Sequence, residues 1–270
     1  KNDAAISFFA ATIFLVHPIQ TESVIYIISR SEVLASTFYL LGFLLFQTYL
    51  ELHNRHSLLK NLILPLVILF LIVVGFSVKQ TLATFPLIIF LYYISGCPLD
   101  SPVIKFILNW KWQILTAVLI FLNLLLYKLL SDETFLVGPS RPEEMVGREK
   151  YMLSQPAVVI FYYLKKILFP INLNVDPDLE VVTHLLSFSF IASIMMIAFI
   201  AYYLWKQKAW RFYIFFLSWF LIILSPSSSI VTLHDLAAEH RVYLALPGVI
   251  FILSYGLFDI LKNQKSGILI

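Results

Sequence analysis

The sequence predicts an all-α, polytopic transmembrane helix bundle of about eight spans plus one short interfacial or re-entrant helix. Three observations carry that expectation. The chain is 60% hydrophobic and only 13% charged, whereas a soluble domain carries about a quarter charged residues. Phe alone occurs 24 times, and the mean hydropathy is +0.87. Apolar runs also recur at lengths near the roughly 20 residues that cross a bilayer as a helix. Lipid offers the backbone no hydrogen bonds, so each segment must close its own, and helices follow.

The expected spans are 4–16, 33–50, 62–78, 81–94, 112–130, 181–205, 212–224 and 242–261. The loops between them fall into two kinds. Short basic loops follow the second span (His53, Arg55, His56, Lys60), the fourth (Lys105, Lys111), the sixth (Lys206, Lys208, Arg211) and the last (Lys262, Lys265). By the positive-inside rule these are cytoplasmic. Longer loops of mixed charge, at 17–32, 131–155, 171–180 and 226–241, then face the periplasm or a lumen. The stretch 157–169 lies between two external loops and between Pro156 and Pro170, so it is expected to be interfacial or re-entrant. Residues 1–270 form one domain with a cytoplasmic N-terminus. Lys1 is not a natural start and the final apolar run has barely begun, so the chain is expected to be a fragment of a longer protein.

Composition narrows the chemistry. The net charge is only +3, which lacks the basic face that nucleic acid requires. Cys97 is the single cysteine, so no internal disulfide or cysteine metal cluster forms. There is no phosphate-cradling glycine loop ending in Gly-Lys-Ser/Thr, no His-Glu-x-x-His zinc motif and no Gly-x-Ser-x-Gly elbow. No residue is assigned to a metal, and the use of a divalent ion is left open.

Ionisable residues gather near span ends, where charge is costly unless paired or functional. The first group runs from His17-Pro-Ile-Gln-Thr-Glu22 to Arg30 and Glu32. Glu22 and Arg30 are eight apart, close to two helical turns, and are expected to share a face. The ordinary reading is an interfacial loop with salt links. The second group is 234–243, with Asp235, Glu239, His240, Arg241 and Tyr243 just before a span. Arg241 offers a fork suited to phosphate, and Glu239 is placed to orient it or act as a base. The alternative is a helix start that pins the span to the interface. Lys165 and Lys166, beside Tyr162 and Tyr163, either snorkel toward lipid headgroups or meet a lipid-linked phosphate. Asp176 and Asp178 flank Pro177 in a turn with too few oxygen ligands for calcium. Lys79 links two spans and is either structural or directed into a cavity.

Four runs resemble one family. They are His17-Pro-Ile-Gln-Thr-Glu-Ser-Val with Ser29-Arg-Ser-Glu-Val-Leu-Ala, Ser77-Val-Lys-Gln-Thr-Leu-Ala-Thr-Phe-Pro, Leu168-Phe-Pro-Ile-Asn-Leu-Asn-Val-Asp, and Ser228-Ser-Ile-Val-Thr-Leu-His-Asp-Leu-Ala-Ala-Glu-His-Arg-Val-Tyr-Leu. In this order they resemble the membrane region of the transmembrane and tetratricopeptide-repeat protein O-mannosyltransferases, particularly bacterial-type relatives. The resemblance implies a GT-C-like fold and transfer of a sugar, mannose by family, from a polyprenyl- or dolichyl-phosphate donor to a protein Ser or Thr hydroxyl. It places that protein O-glycosylation on the periplasmic or lumenal face of a bacterial inner membrane or endoplasmic reticulum. It also implies a C-terminal tetratricopeptide (TPR) array, whose 34-residue period is not seen here.

Within that resemblance Arg241, with Lys165 or Lys166 and Arg30, would meet the donor phosphate, supported by Tyr243. The main base would lie upstream of Lys1, with Glu239, Asp235 and Glu22 as local alternatives. His17, Glu32, Lys79 and His240 would line the pocket. Relatives often carry Lys-Glu-Thr where this chain has Lys79-Gln80-Thr81, which removes a charge. The partners implied are membrane lipid, the lipid-phosphate sugar and an acceptor protein. Two other classes compete: a transporter or flippase of a lipid-linked sugar, and a non-catalytic membrane scaffold bearing a repeat domain.

Overall fold

The computed structural model describes residues 2–51, 62–96, 146–230 and 235–267, and every regular element among them is helical. The expected span 112–130, Cys97, the basic loop residues 53–60, residues 131–145 and His234 lie outside the described residues.

Helix α1 (Asn2–Val16) stops where Pro18 follows His17, because a proline cannot extend the helical ladder. A 3-10 turn (Pro18–Gln20) leads into the short α2 (Thr21–Ile25). After a turn come α3 (Arg30–Glu51), α4 (Leu64–Val78), a 3-10 turn (Gln80–Thr84) and α5 (Phe85–Gly96). The second half holds α6 (Arg148–Ala157), a π-helical segment (Val158–Leu164) and α7 (Lys165–Leu168), which run on as one helix. It then holds α8 (Phe188–Trp205), α9 (Trp210–Ser225), a 3-10 turn (Glu239–Val242) and α10 (Leu246–Gly267).

Three described helices are long and apolar enough to cross a membrane: Arg30–Glu51, Phe188–Trp205 and Trp210–Ser228. A fourth arises if Ala4–Val16 and Pro18–Ile25, bent by 52°, count as one broken span. Among the described residues the count is therefore three or four, below the expected eight. The apolar runs 62–78 and 81–94 were expected to span, but α4 has 15 residues and α5 has 12. At helical rise these are about 22 and 18 Å long, short of a roughly 30 Å hydrocarbon core. The expected span 181–205 also starts late, at Phe188, because residues 181–187 are not helical.

The stretch 157–169 is not an isolated helix either. It continues α6, and Pro156 lies inside the helix rather than at its border. Proline supplies no N–H and crowds the carbonyl four residues back. The ladder widens into the π segment directly afterwards, as inserted turns of this kind do around a broken bond.

The exterior is apolar, with Phe188 87% and Leu15 78% exposed. That distribution suits lipid, not water. Between helices lipid supplies no hydrophobic drive, so contact quality decides association. Tyr39, Phe43, Tyr92, Phe85, Phe215 and Trp219 are linked by edge-to-face contacts at centroid distances from 5.0 to 5.7 Å. Edge-on pairs of this kind place positive ring edges on negative faces. Tyr39 donates to Thr84 Oγ1 at 3.2 Å, since the Thr84 proton goes to the Thr81 carbonyl at 2.7 Å. Helices α9 and α10 approach so closely at Gly248 that a Cβ there would lie 2.6 Å from the Phe216 carbonyl oxygen.

That contact is with backbone, which has nowhere to move. Gly248→Leu should destabilise the bundle by about 1–3 kcal/mol, the ordinary cost of overpacking. Thermal unfolding in detergent would show a lowered Tm; an unchanged Tm would mean that the two helices separate without penalty.

Candidate functional site

The polar segments meet at one end of the bundle, where α1 finishes, α3 starts, α4 finishes, α9 finishes and α10 starts. His17 is the first tie. Its Nδ1 accepts the Ile19 N–H at 3.2 Å, so the proton sits on Nε2, which donates to the Ile167 carbonyl at 2.9 Å. The turn after α1 is thereby fastened to the end of α7. Gln20 turns back to donate to the Phe14 carbonyl at 2.6 Å, satisfying one of the carbonyls orphaned by Pro18.

Glu22 is buried and spends both oxygens on one residue. Oε2 accepts the His240 N–H at 2.9 Å, and Oε1 accepts Nδ1–H of the same ring at 2.5 Å. Ser23 adds a bond from its hydroxyl to the His240 carbonyl at 3.4 Å. Arg30 does not join this face, contrary to the spacing argument. The helix breaks after Ile25, so Glu22 turns inward while Arg30 is exposed at the head of α3. Arg30 has no ion-pair partner among the described residues.

Glu239 is 2% exposed. Its Oε1 accepts the Tyr162 hydroxyl at 3.0 Å and the Asn174 N–H at 2.9 Å. Its Oε2 has no hydrogen-bond partner among the described residues. Burial, reinforced by the Glu239 carboxylate, pushes the Tyr162 phenol well above its usual range and keeps it a donor. Asn174 reaches this position through a tight turn in which Asn172 takes φ 52°, a left-handed conformation that asparagine tolerates.

Arg241 is buried and donates to the Tyr151 hydroxyl at 3.3 Å and to the Asp235 carbonyl at 3.0 Å. Tyr151 passes its own proton to the Ser227 carbonyl at 2.6 Å. Tyr163 accepts the Ala238 N–H at 3.1 Å; burial raises its phenol and the Arg241 guanidinium pulls it back. No carboxylate pairs with Arg241 among the described residues. A guanidinium brings five N–H donors and a full charge, and a buried cation of this kind calls for an anion or for many acceptors.

The remaining expected residues fall into place around this centre. Glu32 and Lys79 form an ion pair that joins the head of α3 to the end of α4. Lys166 closes the turn after α7 by donating to the Ile171 carbonyl at 2.7 Å and to the Asn172 carbonyl. Lys165 is exposed. Neither lysine stands beside Arg241 in a hydrogen-bonded cluster. Tyr243 packs its ring edge-on against Phe14 at 5.5 Å, a contact with α1 instead of a brace for the guanidinium. Asp235 contributes its carbonyl to Arg241. Among the described residues no three His, Cys, Asp or Glu side chains gather as a metal set.

Sequence reasoning missed Tyr151, Ser154 and Gln155. Gln155 donates to the Leu236 carbonyl at 3.0 Å, and Ser154 accepts the Val182 N–H at 2.8 Å. Their spacing of three and four is that of one helical face. It was hidden because 131–155 reads as a loop. Comparison with known proteins finds no matching family model, no matching curated protein and no matching solved structure.

Tyr162→Phe deletes a donor to a buried carboxylate, which should cost about 1–3 kcal/mol and lower the Tm. Because the folded-state phenol is raised, its contribution is complete below about pH 10 and is lost as pH climbs toward the folded value. The Phe variant should therefore show a shallower alkaline loss of stability than the parent; an equal slope would remove Tyr162 from this account.

Proposed function

We propose that this chain is the membrane part of a GT-C-like glycosyltransferase, similar to the O-mannosyltransferases whose motifs it resembles. It would transfer a sugar from a polyprenyl- or dolichyl-phosphate to a Ser or Thr hydroxyl of a protein. The full-length membrane domain would carry about eight spans, with the polar end on the periplasmic or lumenal side. The observation that carries this reading is the pair Glu239 and Arg241: a buried carboxylate with one oxygen that no described residue bonds, two residues from a buried cation that forms no salt bridge with a described residue.

Those two groups match the two demands of the reaction. The acceptor hydroxyl must lose a proton as its oxygen bonds the anomeric carbon. In the same step the bond from that carbon to the donor phosphate oxygen breaks, and the phosphate takes the electron pair. Glu239 Oε2 is the local group with an open lone pair to take the proton, since Glu22 has given both oxygens to His240. Arg241 has spare N–H donors for the charge developing on the phosphate. A donor held by a lipid tail arrives in the membrane plane, so its phosphate must be met at a bundle end. His17 and Glu22 would position the loops, and the Glu32–Lys79 pair would hold α3 against α4 beneath them.

Glu239→Gln keeps an acceptor for Tyr162 and Asn174 but removes the base, and Arg241→Lys keeps charge but loses the fork. In full-length protein, transfer of mannose from a polyprenyl-phosphate donor to a Ser/Thr peptide should fall at least about 100-fold for Glu239→Gln, with the Tm nearly unchanged. Arg241→Lys should fall by a similar factor. Full turnover in the glutamine variant would remove Glu239 as base.

The broken helix at Pro18 favours a second reading, carriage of a lipid-linked sugar across the bilayer, because transporters use discontinuous spans. Flipping of a labelled lipid in proteoliposomes, unaffected by Glu239→Gln, would select that reading over transfer.

A further inference from the structure

A cleft of about 870 Å³ opens at the other end of the bundle, remote from Glu239 and Arg241. Ser7 of α1, Leu50 at the end of α3 and Ser95 at the end of α5 bound it on one side. Its floor is aromatic, with Phe212, Phe215 and Phe216 of α9 and Phe251 of α10. Phe216 and Phe251 stack at 4.5 Å with planes 19° apart, giving a flat apolar wall. At the mouth stand two cations, Lys208 and Arg211, with no carboxylate among the described lining residues. Both are exposed.

The surroundings locate that mouth relative to a bilayer. Trp205 is 57% and Trp210 40% exposed, and Tyr202 and Tyr203 face outward beside them. Lys206 lies over the Tyr202 and Trp205 rings, and Arg211 lies over Trp210 at 5.6 Å. Exposed Trp and Tyr mixed with Lys and Arg mark the headgroup level of a membrane. The cleft thus runs from headgroup depth into the hydrocarbon layer, with positive charge at the polar level and rings below it. A basic pocket between transmembrane helices is the geometry that holds an anionic headgroup.

We propose that this cleft binds one anionic phospholipid, its phosphate between Lys208 and Arg211 and an acyl chain along the Phe216–Phe251 wall. The site does not depend on the transfer reaction and lies at the opposite end of the bundle. Charge complementarity selects the occupant: among the described residues the lining cations form no salt bridge with an acidic side chain, and the aromatic floor fits a hydrocarbon chain rather than a soluble phosphate. In the orientation set by the basic loops this end faces the cytoplasmic leaflet, which is the anionic one.

The test is native mass spectrometry of the purified full chain titrated with phosphatidylglycerol or phosphatidylcholine. Phosphatidylglycerol should bind about 30-fold more tightly, as expected for two cations at headgroup depth. Lys208→Ala/Arg211→Ala should erase that preference. Lys206→Ala should retain it, because Lys206 is outside the lining. Ser95→Trp fills the cleft without touching charge and should weaken binding of both lipids. Glycerol phosphate should fail to compete at equal concentration. Equal binding of the two lipids, an undiminished preference in the double variant, or competition by glycerol phosphate at lipid-like affinity would each overturn the proposal.

Discussion

Residues 235–243 bring Asp235, Glu239, His240 and Arg241 into a bundle whose other surfaces are almost entirely apolar. A buried polar group without partners costs several kcal/mol, and a buried charge costs more. The rest of this end of the molecule is arranged around that constraint. The helix 148–168 turns Tyr151, Gln155, Tyr162 and Tyr163 toward the segment; Gln155 and Tyr162 donate hydrogen bonds to it, and Tyr151 and Tyr163 accept them from it. Helix α2 adds Glu22 and Ser23 on the other side. Trp219 of α9 donates to the Leu244 carbonyl at 2.9 Å and carries the support on to the start of α10. Among the described residues two groups stay incompletely used, one oxygen of Glu239 and some donors of Arg241, and the functional reading rests on them.

The two ends of the bundle solve different problems. At the polar end, Glu22, Glu32, Glu239 and Arg241 are turned inward and hydrogen-bonded. At the other end, lysines, arginine and exposed aromatics lie at the surface and the cleft enters between helices. Between the ends, edge-on aromatic pairs and a close approach at Gly248 hold the helices, since lipid gives no net drive for apolar surfaces to meet. Pro18 and Pro156 each interrupt a ladder, and each interruption sits next to a residue that contacts the 235–243 segment. The bends at these prolines let helices of ordinary geometry bring side chains to a shared point.

Much of this was legible in the chain. The helical character, the apolar exterior and the three polar segments follow from composition and from where charges stop apolar runs. Their convergence did not follow, because Glu22 and His240 are 218 positions apart and no local pattern links them. Arg30 illustrates the opposite failure: its spacing from Glu22 suits a continuous helix, but the helix breaks after Ile25. Tyr151 and Gln155 were hidden by Arg148, Glu149 and Lys150, whose charges make a helix start look like a loop. Among the described residues fewer long spans appear than the apolar runs suggested, because hydropathy measures apolar content, whereas crossing also requires length, and α4 and α5 are short.

The amino-acid sequence by itself determined that this is a helical membrane protein with its ionisable residues held to span ends, because the cost of leaving water is set residue by residue. It also supplied the motifs on which the family resemblance rests. Only the tertiary structure decided which ionisable groups satisfy one another. Glu22 is consumed by His240, Glu32 by Lys79 and Lys166 by turn carbonyls, while Glu239 and Arg241 keep capacity that no described residue uses. Hydrogen bonding is short-ranged and directional, so that allocation exists only once distant segments have been packed together.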